Sequence, residues 1–198
     1  MNKWDIRFSG EDFFYGEKPN RFFAVYLDGL NEPGRLLLPA EGEGRNAVYA
    51  AKKGWQVDAF DSSSVARQKA LGFAAAEQVA VNYTLLDVAN FNPQPAAYDL
   101  IALVFLHLPE GMRKRFHRQV IESLKPGGRV LIESFEKKQI HNHSGGPPDV
   151  NLLYSKKILE EDFAGLNIID LFEAHKHLDE GHHHGPADLV RMVAEKGA

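Results

Sequence analysis

The sequence has no cysteine among its 198 residues. Disulfide bonds, cysteine-ligated zinc sites and cysteine nucleophiles are therefore excluded. The sequence also lacks any apolar stretch close to the roughly 20 residues that a membrane-spanning helix needs. The N-terminal stretch MNKWDIRFSGEDFF has no apolar core of the kind that marks a signal peptide. We therefore predict a cytoplasmic protein with no membrane partner.

The sequence has no excess of basic over acidic residues either. Lysine and arginine together number 23 against 27 aspartates and glutamates, which gives a net charge of −4. Nucleic-acid binding depends on dense clusters of basic side chains. The densest such stretch, MRKRFHR at 112–118, has the spacing of a solvated helix face. We therefore predict that nucleic acid is not a partner. Neither composition nor motifs predict an oligomeric state.

Apolar runs and helical patterns alternate along most of the chain. A chain of this length suits one domain, and we predict a single domain over 1–198 in which residues 1–20 form a strap or lid. Strands that are apolar along their whole length belong to parallel sheets covered on both faces. Five such strands are predicted, at 35–40, 55–61, 79–87, 98–108 and 129–135. Helices join them, except that a loop joins the third strand to the fourth.

The alternation of predicted strands and helices ends after residue 136. A long loop and a helix at 154–166 precede two strands within 167–196, joined by a turn at 181–186. Two consecutive strands without a helix form a hairpin, so the last strand should be antiparallel. The predicted fold is an α/β, Rossmann-like, seven-stranded sheet. It is mostly parallel, has an antiparallel C-terminal strand and carries helices on both faces.

The stretch GEGRNA, residues 42–47, follows the first strand and opens the next helix. It fits the pattern G-x-G-x-x-[GA] of nucleotide-binding turns, where glycine permits a tight turn and a close approach of ligand to backbone. Asp61 ends the next strand, 17 residues after Gly44, and a carboxylate there can accept hydrogen bonds from ribose hydroxyls. The pattern alone also fits a dinucleotide, held at the helix N-terminus, or a tight turn without a ligand.

Further motifs along the sequence indicate which ligand this turn would bind. After GEGRNA and Asp61 come LLD ending at Asp87, YDLI at 98–101, LKPGG at 124–128 and the closing hairpin. In this order the chain resembles a class I S-adenosylmethionine (SAM)-dependent methyltransferase over roughly residues 20–196. The stretches YGEKPN, EGEGRNAVY and EGHHHGPADLVRMVAEK resemble small-molecule members, the tellurite-resistance and thiopurine-methyltransferase-like group. The resemblance implies SAM as cofactor and methyl transfer to a small-molecule acceptor.

The first motif departs from the family pattern D-x-G-x-G. Leu38 stands where the acid often stands, and Ala40 stands where the first glycine does. Glu41, within the turn, is the candidate to contact the SAM amine instead. The departure leaves open a SAM-fold protein that binds without catalysis. A nicotinamide-dependent oxidoreductase is disfavoured, because the chain has no second substrate domain and because LKPGG and the hairpin match the methyltransferases.

The resemblance implies a cofactor site built from the strap, the glycine turn and the ends of strands 2, 3 and 4. Its residues are Tyr15, Glu41, Gly42, Gly44, Arg45, Asp61, Asp87, Val88 and Phe105. Several have structural alternatives: Asp61 as a helix N-cap, Asp87 as a turn residue, Arg45 as a solvated side chain and Tyr15 as a packing partner of its neighbours.

Methyl transfer from a sulfonium is an in-line displacement, so the protein mainly aligns the acceptor and excludes water. A base is needed only if the acceptor must lose a proton. His107, at the end of strand 4, is the predicted catalytic residue, with a histidine bonded to backbone as the alternative. Candidate acceptor contacts at the same edge of the sheet are His141, His143 and residues 182–184. No metal site is predicted.

Overall fold

The computed structural model describes residues 2–197 and contains one seven-stranded sheet with the strand order β3-β2-β1-β4-β5-β7-β6. Neighbouring strands from β3 to β5 are parallel, and β7 pairs antiparallel with both β5 and β6. The predicted fold class is confirmed. The strands are β1 (Arg35–Pro39), β2 (Gln56–Asp61), β3 (Asn82–Leu85), β4 (Tyr98–Val104), β5 (Leu124–Phe135), β6 (Asn167–Glu180) and β7 (His183–Glu195).

Helices cover both faces of the sheet, because alternate strand residues point to opposite sides. In β1, Leu36 and Leu38 pack into one core with α2, α3 and α4, while Leu37 packs into a second core with α5 and α6. The helices are α1 (Lys3–Arg7), α2 (Arg21–Asp28), α3 (Arg45–Lys52), α4 (Ser64–Ala76), α5 (Glu110–Ser123) and α6 (Lys156–Asp162). None of the helices within residues 2–197 has the length and apolarity to cross a membrane.

Several predicted boundaries were wrong. Strand β3 is shorter than the predicted range 79–87, and β5 begins at Leu124 and not at 129, so that LKPGG lies within the strand. Two further differences lie near the site. Strand β4 ends at Val104, so Phe105 and His107 lie in the turn beyond it. Phe105 has φ = +53°, which ends the extended conformation. The hairpin turn is also tighter than predicted, because β6 and β7 stay paired as far as Glu180 and His183.

The strap runs from residue 2 to residue 16 and crosses the carboxyl edge of the sheet. It begins with the short helix α1, whose N-cap Asn2 accepts a hydrogen bond from the Trp4 amide. The Asp5 carboxylate accepts a hydrogen bond of 2.7 Å from the Ser63 hydroxyl at the start of α4. Farther along, the amide of His182 donates to the Phe14 carbonyl at 3.0 Å. The strap is therefore bonded both to the start of α4 and to the tip of the β6–β7 hairpin.

Candidate active site

A cavity of about 720 Å³ opens at the carboxyl ends of β1, β2 and β4. The strand order reverses between β1 and β4, and ligands of open α/β sheets bind at such a point. The cavity wall combines the glycine turn, the ends of β2, β3 and β4, the strap, the Gly145–Pro148 segment and the tip of the hairpin. Residues far apart in the sequence therefore enclose one space.

The glycine turn joins β1 to α3 and needs both of its glycines. Gly42 has φ = +66° and Gly44 has φ = +89°, a region that disfavours any residue with a Cβ. A Cβ on Gly44 would lie 2.7 Å from Cβ of Ala70 in α4. Gly44 therefore lets α3 and α4 pack closely, whereas Gly42 lies in the cavity wall.

Glu41 caps helix α3 from within the turn. Its Oε1 accepts hydrogen bonds from the backbone amides of Asn46 at 2.7 Å and Ala47 at 2.8 Å. Burial raises the pKa of this carboxyl to about 7. Glu41 also lies in the cavity wall, but both of its oxygens bond to the helix, since Oε2 accepts from the Asn46 side-chain amide at 3.2 Å. Its contact with the SAM amine stays a prediction.

Asp61 ends β2 directly beside the glycine turn. One carboxylate oxygen accepts a hydrogen bond from the Gly42 amide at 3.1 Å, and the other accepts one from the Ser63 amide at 2.8 Å. The N-cap of α4 is the Ser63 side chain, so Asp61 does not take that role. Burial raises the pKa of Asp61, and the two amide bonds partly oppose this shift. Its carboxylate is thus held rigidly in the cavity wall.

Asp87 and Val88 line the cavity after β3. The Asp87 carboxylate accepts a hydrogen bond of 2.8 Å from the Ala89 amide and caps a short 3₁₀ turn. The turn role that the sequence left open is therefore present, alongside a position in the cavity wall. Val88 is buried and contributes an apolar surface there.

Arg45 is buried rather than solvated. Its guanidinium forms an ion pair of 2.8 Å with Glu180 at the end of β6, and it donates to the Tyr15 carbonyl at 3.2 Å. Arg45 therefore connects the glycine turn, the strap and the hairpin. It lies in the cavity wall, but its charge already has a carboxylate partner.

Aromatic rings form the other half of the cavity. Tyr15 contacts Phe8 and Phe14 edge-on, and its hydroxyl accepts a hydrogen bond of 3.3 Å from Arg7. Phe105 stacks on Phe135 with 4.7 Å between ring centroids. The positive φ of Phe105 is uncommon for a bulky residue, and such strain concentrates at functional sites.

His107 lies in the cavity wall with both ring nitrogens bonded to the backbone. Nδ1 is 2.8 Å from the Leu152 carbonyl oxygen, and Nε2 is 3.4 Å from the Phe135 amide nitrogen. Since a carbonyl only accepts and an amide only donates, Nδ1 carries the proton. Burial lowers the pKa of His107 to about 4. This geometry corresponds to the alternative of a backbone-bonded histidine and weighs against the catalytic role, which stays a prediction.

The predicted site residues share one cavity wall, with the exception of Gly44, which packs against α4. Sequence reasoning missed Phe135 and the glycine pair Gly145 and Gly146, although SGGPP in the loop after β5 is a signal for a close approach of backbone. His141 and His143 are exposed and lie outside this wall. Residues 2–197 contain no group of three or more side chains able to hold a metal ion.

Comparison with known proteins identifies the domain. A family model described as "Methyltransferase domain" matches residues 39–128, the stretch that holds the glycine turn, Asp61 and Asp87. The chain has a class I SAM-dependent methyltransferase domain. Its cofactor is SAM, and the wall fits this group because the Asp61 carboxylate and the Gly42 backbone border the cavity. This cofactor leaves no role for the nicotinamide alternative.

Several known proteins are similar to this domain in sequence or in fold. Thiopurine S-methyltransferase of Legionella pneumophila (strain Philadelphia 1) is 26% identical over 174 residues, covering 74% of this chain and 76% of the relative. The structure of TehB from Haemophilus influenzae superposes with a TM-score of 0.74 at 19% identity, over 89% of this chain and 62% of that one. N-methyltransferase NodS from Bradyrhizobium japonicum WM9, in complex with S-adenosylhomocysteine, has a TM-score of 0.73 at 12% identity and 98% and 97% coverage.

Proposed function

We propose that this methyltransferase acts on a small-molecule acceptor whose reacting atom is sulfur or another soft anion. The observation that carries the proposal is the division of the cavity into two halves. One half holds the glycine turn and the carboxylates of Glu41, Asp61 and Asp87. The other half is aromatic and is bounded by the strap and the hairpin tip, a space suited to a small, apolar molecule.

The acidic half is the proposed cofactor site. Asp61 would accept hydrogen bonds from the ribose hydroxyls, and the Gly42 backbone would lie against the methionine part. Asp87 and Val88 would border the adenine. Glu41, with its pKa of about 7, would offer a carboxyl oxygen to the SAM amine while it caps α3. When bound, SAM supplies a methyl carbon activated by its sulfonium sulfur.

Within residues 2–197, the base predicted for the aromatic half is already bonded to the backbone. His107, the predicted candidate, has both nitrogens engaged and a pKa of about 4. An acceptor that ionises by itself needs no such base, since the protein then only aligns it and excludes water. A thiolate or similar soft anion meets this requirement. The name of the Legionella relative, thiopurine S-methyltransferase, supports sulfur.

The strap supplies positive charge to the cavity. Lys3 and Arg7 of α1 are in its wall, and among residues 2–197 no carboxylate lies within 4.0 Å of either cation to form a salt bridge. Unpaired cations at the mouth of a cavity attract an anionic acceptor. We further propose that the strap is a lid over the acceptor.

Calorimetric titration tests the cofactor site. SAM and S-adenosylhomocysteine should bind the purified protein, NAD should not, and Asp61→Asn should weaken binding of both sulfur nucleotides. Asp170→Asn is the matched control, because Asp170 is an exposed residue of β6 and should leave binding unchanged. If neither sulfur nucleotide bound, the alternative of a disabled pocket, marked by Leu38 and Ala40, would replace the proposal.

Radiolabelled methyl transfer tests the acceptor class. A thiopurine and benzenethiol should be methylated in the presence of SAM, whereas their oxygen counterparts, a hydroxypurine and phenol, should react far more slowly. Equal rates for thiols and their oxygen counterparts would contradict the preference for a soft nucleophile.

A further inference from the structure

The acceptor half of the cavity contains a histidine that the proposed function has not used. His183 is the first residue of β7 and lies in the cavity wall. Its ring is enclosed by three aromatic rings, with centroid distances of 4.4 Å to Tyr15, 4.7 Å to Phe105 and 5.2 Å to Phe135. These same rings form the proposed acceptor site.

The imidazole of His183 is buried without a full set of hydrogen bonds. Only 7% of the residue is exposed, and its Nδ1 is buried and has no hydrogen-bond partner within residues 2–197. Buried polar atoms in folded proteins are nearly always paired, so an exception calls for an explanation such as a ligand or a functional role. His107, by contrast, has both nitrogens bonded to backbone.

The backbone beside His183 leaves space for the imidazole ring. Gly145 has φ = +133°, and a Cβ there would lie 2.5 Å from Cδ2 and 3.0 Å from Nε2 of His183. A side chain at this position would therefore displace the imidazole. The tight turn at Gly181 brings His183 to the strap, because the neighbouring His182 amide bonds to Phe14.

We propose that His183 binds the acceptor by a hydrogen bond from its neutral imidazole. This inference rests on the proposed function, and it deepens it by naming the residue that recognises the acceptor. His183 then acts as a donor to the reacting sulfur or its immediate neighbour and not as a base.

The surroundings keep the imidazole neutral. Burial above all, together with the charges of Arg45, His107, Arg7 and His182, lowers the pKa of His183 to about 3. Two other titratable groups lie nearby. Tyr15 contacts the ring, and Glu180 is the cross-strand neighbour of His183, but Glu180 is paired with Arg45. A neutral imidazole with so low a pKa donates a proton in a hydrogen bond but cannot remove one from a thiol.

The order of proton loss and methyl transfer follows from this neutrality. The acceptor thiol must lose its proton to water before the transfer. Its sulfur then forms a bond to the methyl carbon while the bond from methyl to the sulfonium sulfur breaks, and that electron pair stays with S-adenosylhomocysteine. The pH dependence of kcat/KM should therefore follow the pKa of the thiol and not that of a group on the protein.

Three variants test the hydrogen bond with benzenethiol as probe. His183→Leu removes the polar atoms, whereas His183→Asn and His183→Gln keep a donor near Nδ1 and Nε2 respectively. We expect His183→Leu to raise the KM for benzenethiol about tenfold or more, the size expected for loss of a hydrogen bond to a charged group, and at least one amide variant to recover part of it. His175→Leu is the control, because the side chain of His175 is 67% exposed, pairs with Asp188 and lies outside the cavity wall.

The binding of S-adenosylhomocysteine distinguishes a failure of this inference from a failure of the proposed function. If it binds every variant equally and His183→Leu leaves the KM for benzenethiol unchanged, the inference is overturned while the proposed function stands. If the wild type fails to bind it, or methylates no thiol, the proposed function fails and the inference fails with it. Loss of cofactor binding in His183→Leu alone would mean that the ring is structural, which also overturns the inference.

A series of thiols tests the proton step. It runs from 4-nitrobenzenethiol, which is the most acidic, through benzenethiol to phenylmethanethiol, which is the least acidic. The midpoint of the pH profile of kcat/KM should move with the acidity of the thiol. One midpoint shared by all three thiols would reveal a base on the protein and would overturn the neutral role of His183.

Discussion

Replacement of Gly44 by alanine tests the close packing of α3 and α4. The new Cβ would lie 2.7 Å from Cβ of Ala70 and 3.0 Å from its Cα, whereas atoms of the two helices cannot approach so closely without a shift. Gly44 also has φ = +89°, a conformation that alanine adopts only with strain. The steric clash and the backbone strain therefore both destabilise the Gly44→Ala variant.

The magnitude follows from these two costs. Left-handed backbone costs an alanine about 1–2 kcal/mol, and overpacking of a well-packed region costs about 1–3 kcal/mol. We expect Gly44→Ala to lower the free energy of unfolding by about 2–5 kcal/mol. In a domain of this size that corresponds to a fall in Tm of about 4 to 20 °C.

Equilibrium unfolding in urea, with a double-mutant cycle, separates the two costs. Ala70→Gly removes the Cβ that the new side chain would strike and leaves the Cα at 3.0 Å. In the double variant, part of the steric cost of about 1–3 kcal/mol should therefore be recovered as coupling energy, while the backbone strain remains. Gly72→Ala is the control, because Gly72 lies in α4 together with Ala70. A Cβ on Gly72 meets nothing within 4 Å, so this variant should stabilise by about 0.5–1 kcal/mol.

Two outcomes would refute this reasoning. Zero coupling between positions 44 and 70 would mean that the helices adjust freely and that Gly44 is not needed for their packing. A destabilisation by Gly72→Ala equal to that of Gly44→Ala would mean that α4 tolerates no added methyl group at all, wherever it points.

Two further predictions concern buried titratable groups. Burial raises the pKa of Glu41 in the folded state to about 7 from an ordinary value of 4.5, so its contribution to stability is fully present below about pH 4.5 and is lost as pH rises through about 7. Wild type should therefore lose up to about 3 kcal/mol more than Glu41→Gln between these limits, measured by urea unfolding; parallel curves for the two proteins would contradict the raised pKa. His107→Leu should lower the free energy of unfolding by about 1–3 kcal/mol, because it leaves the Leu152 carbonyl and the Phe135 amide without their partner. If His107 is not the base, the pH profile of methyl transfer should keep its shape in this variant, and loss of the acidic limb, along which activity rises as a base loses its proton, would restore the predicted catalytic role.

The sheet was predictable because its signals are local. Each strand is an apolar run of a few residues, each helix is bounded by its own caps, and the motifs follow one another in family order. Strand pairing then follows from general rules of connection. The boundaries that were predicted wrongly near the site depend on backbone conformation and strand pairing, which the local sequence does not reveal. Strand β4 stops at Val104 because Phe105 takes a positive φ, and the hairpin turn is short because β6 and β7 pair as far as His183.

The chemistry of the site was less predictable, because it depends on contacts between distant residues. The placement of the His107 proton on Nδ1 depends on the Leu152 carbonyl, 45 residues away in the sequence. Arg45 is paired with Glu180, and no local pattern around GEGRNA reveals that partner. The sequence could name candidates at the correct edge of the sheet, but it could not tell which of their polar atoms were already bonded.

The strap has a practical consequence for anyone who produces this protein. Lys3 and Trp4 lie in the cavity wall, so a purification tag added ahead of α1 would emerge beside the entrance to the active site. The other end of the chain is safer. Strand β7 finishes at Glu195, opposite Arg129 near the start of β5, and therefore at the amino edge of the sheet, away from the cavity. A C-terminal tag should leave ligand access undisturbed, whereas an N-terminal one calls for removal before any assay.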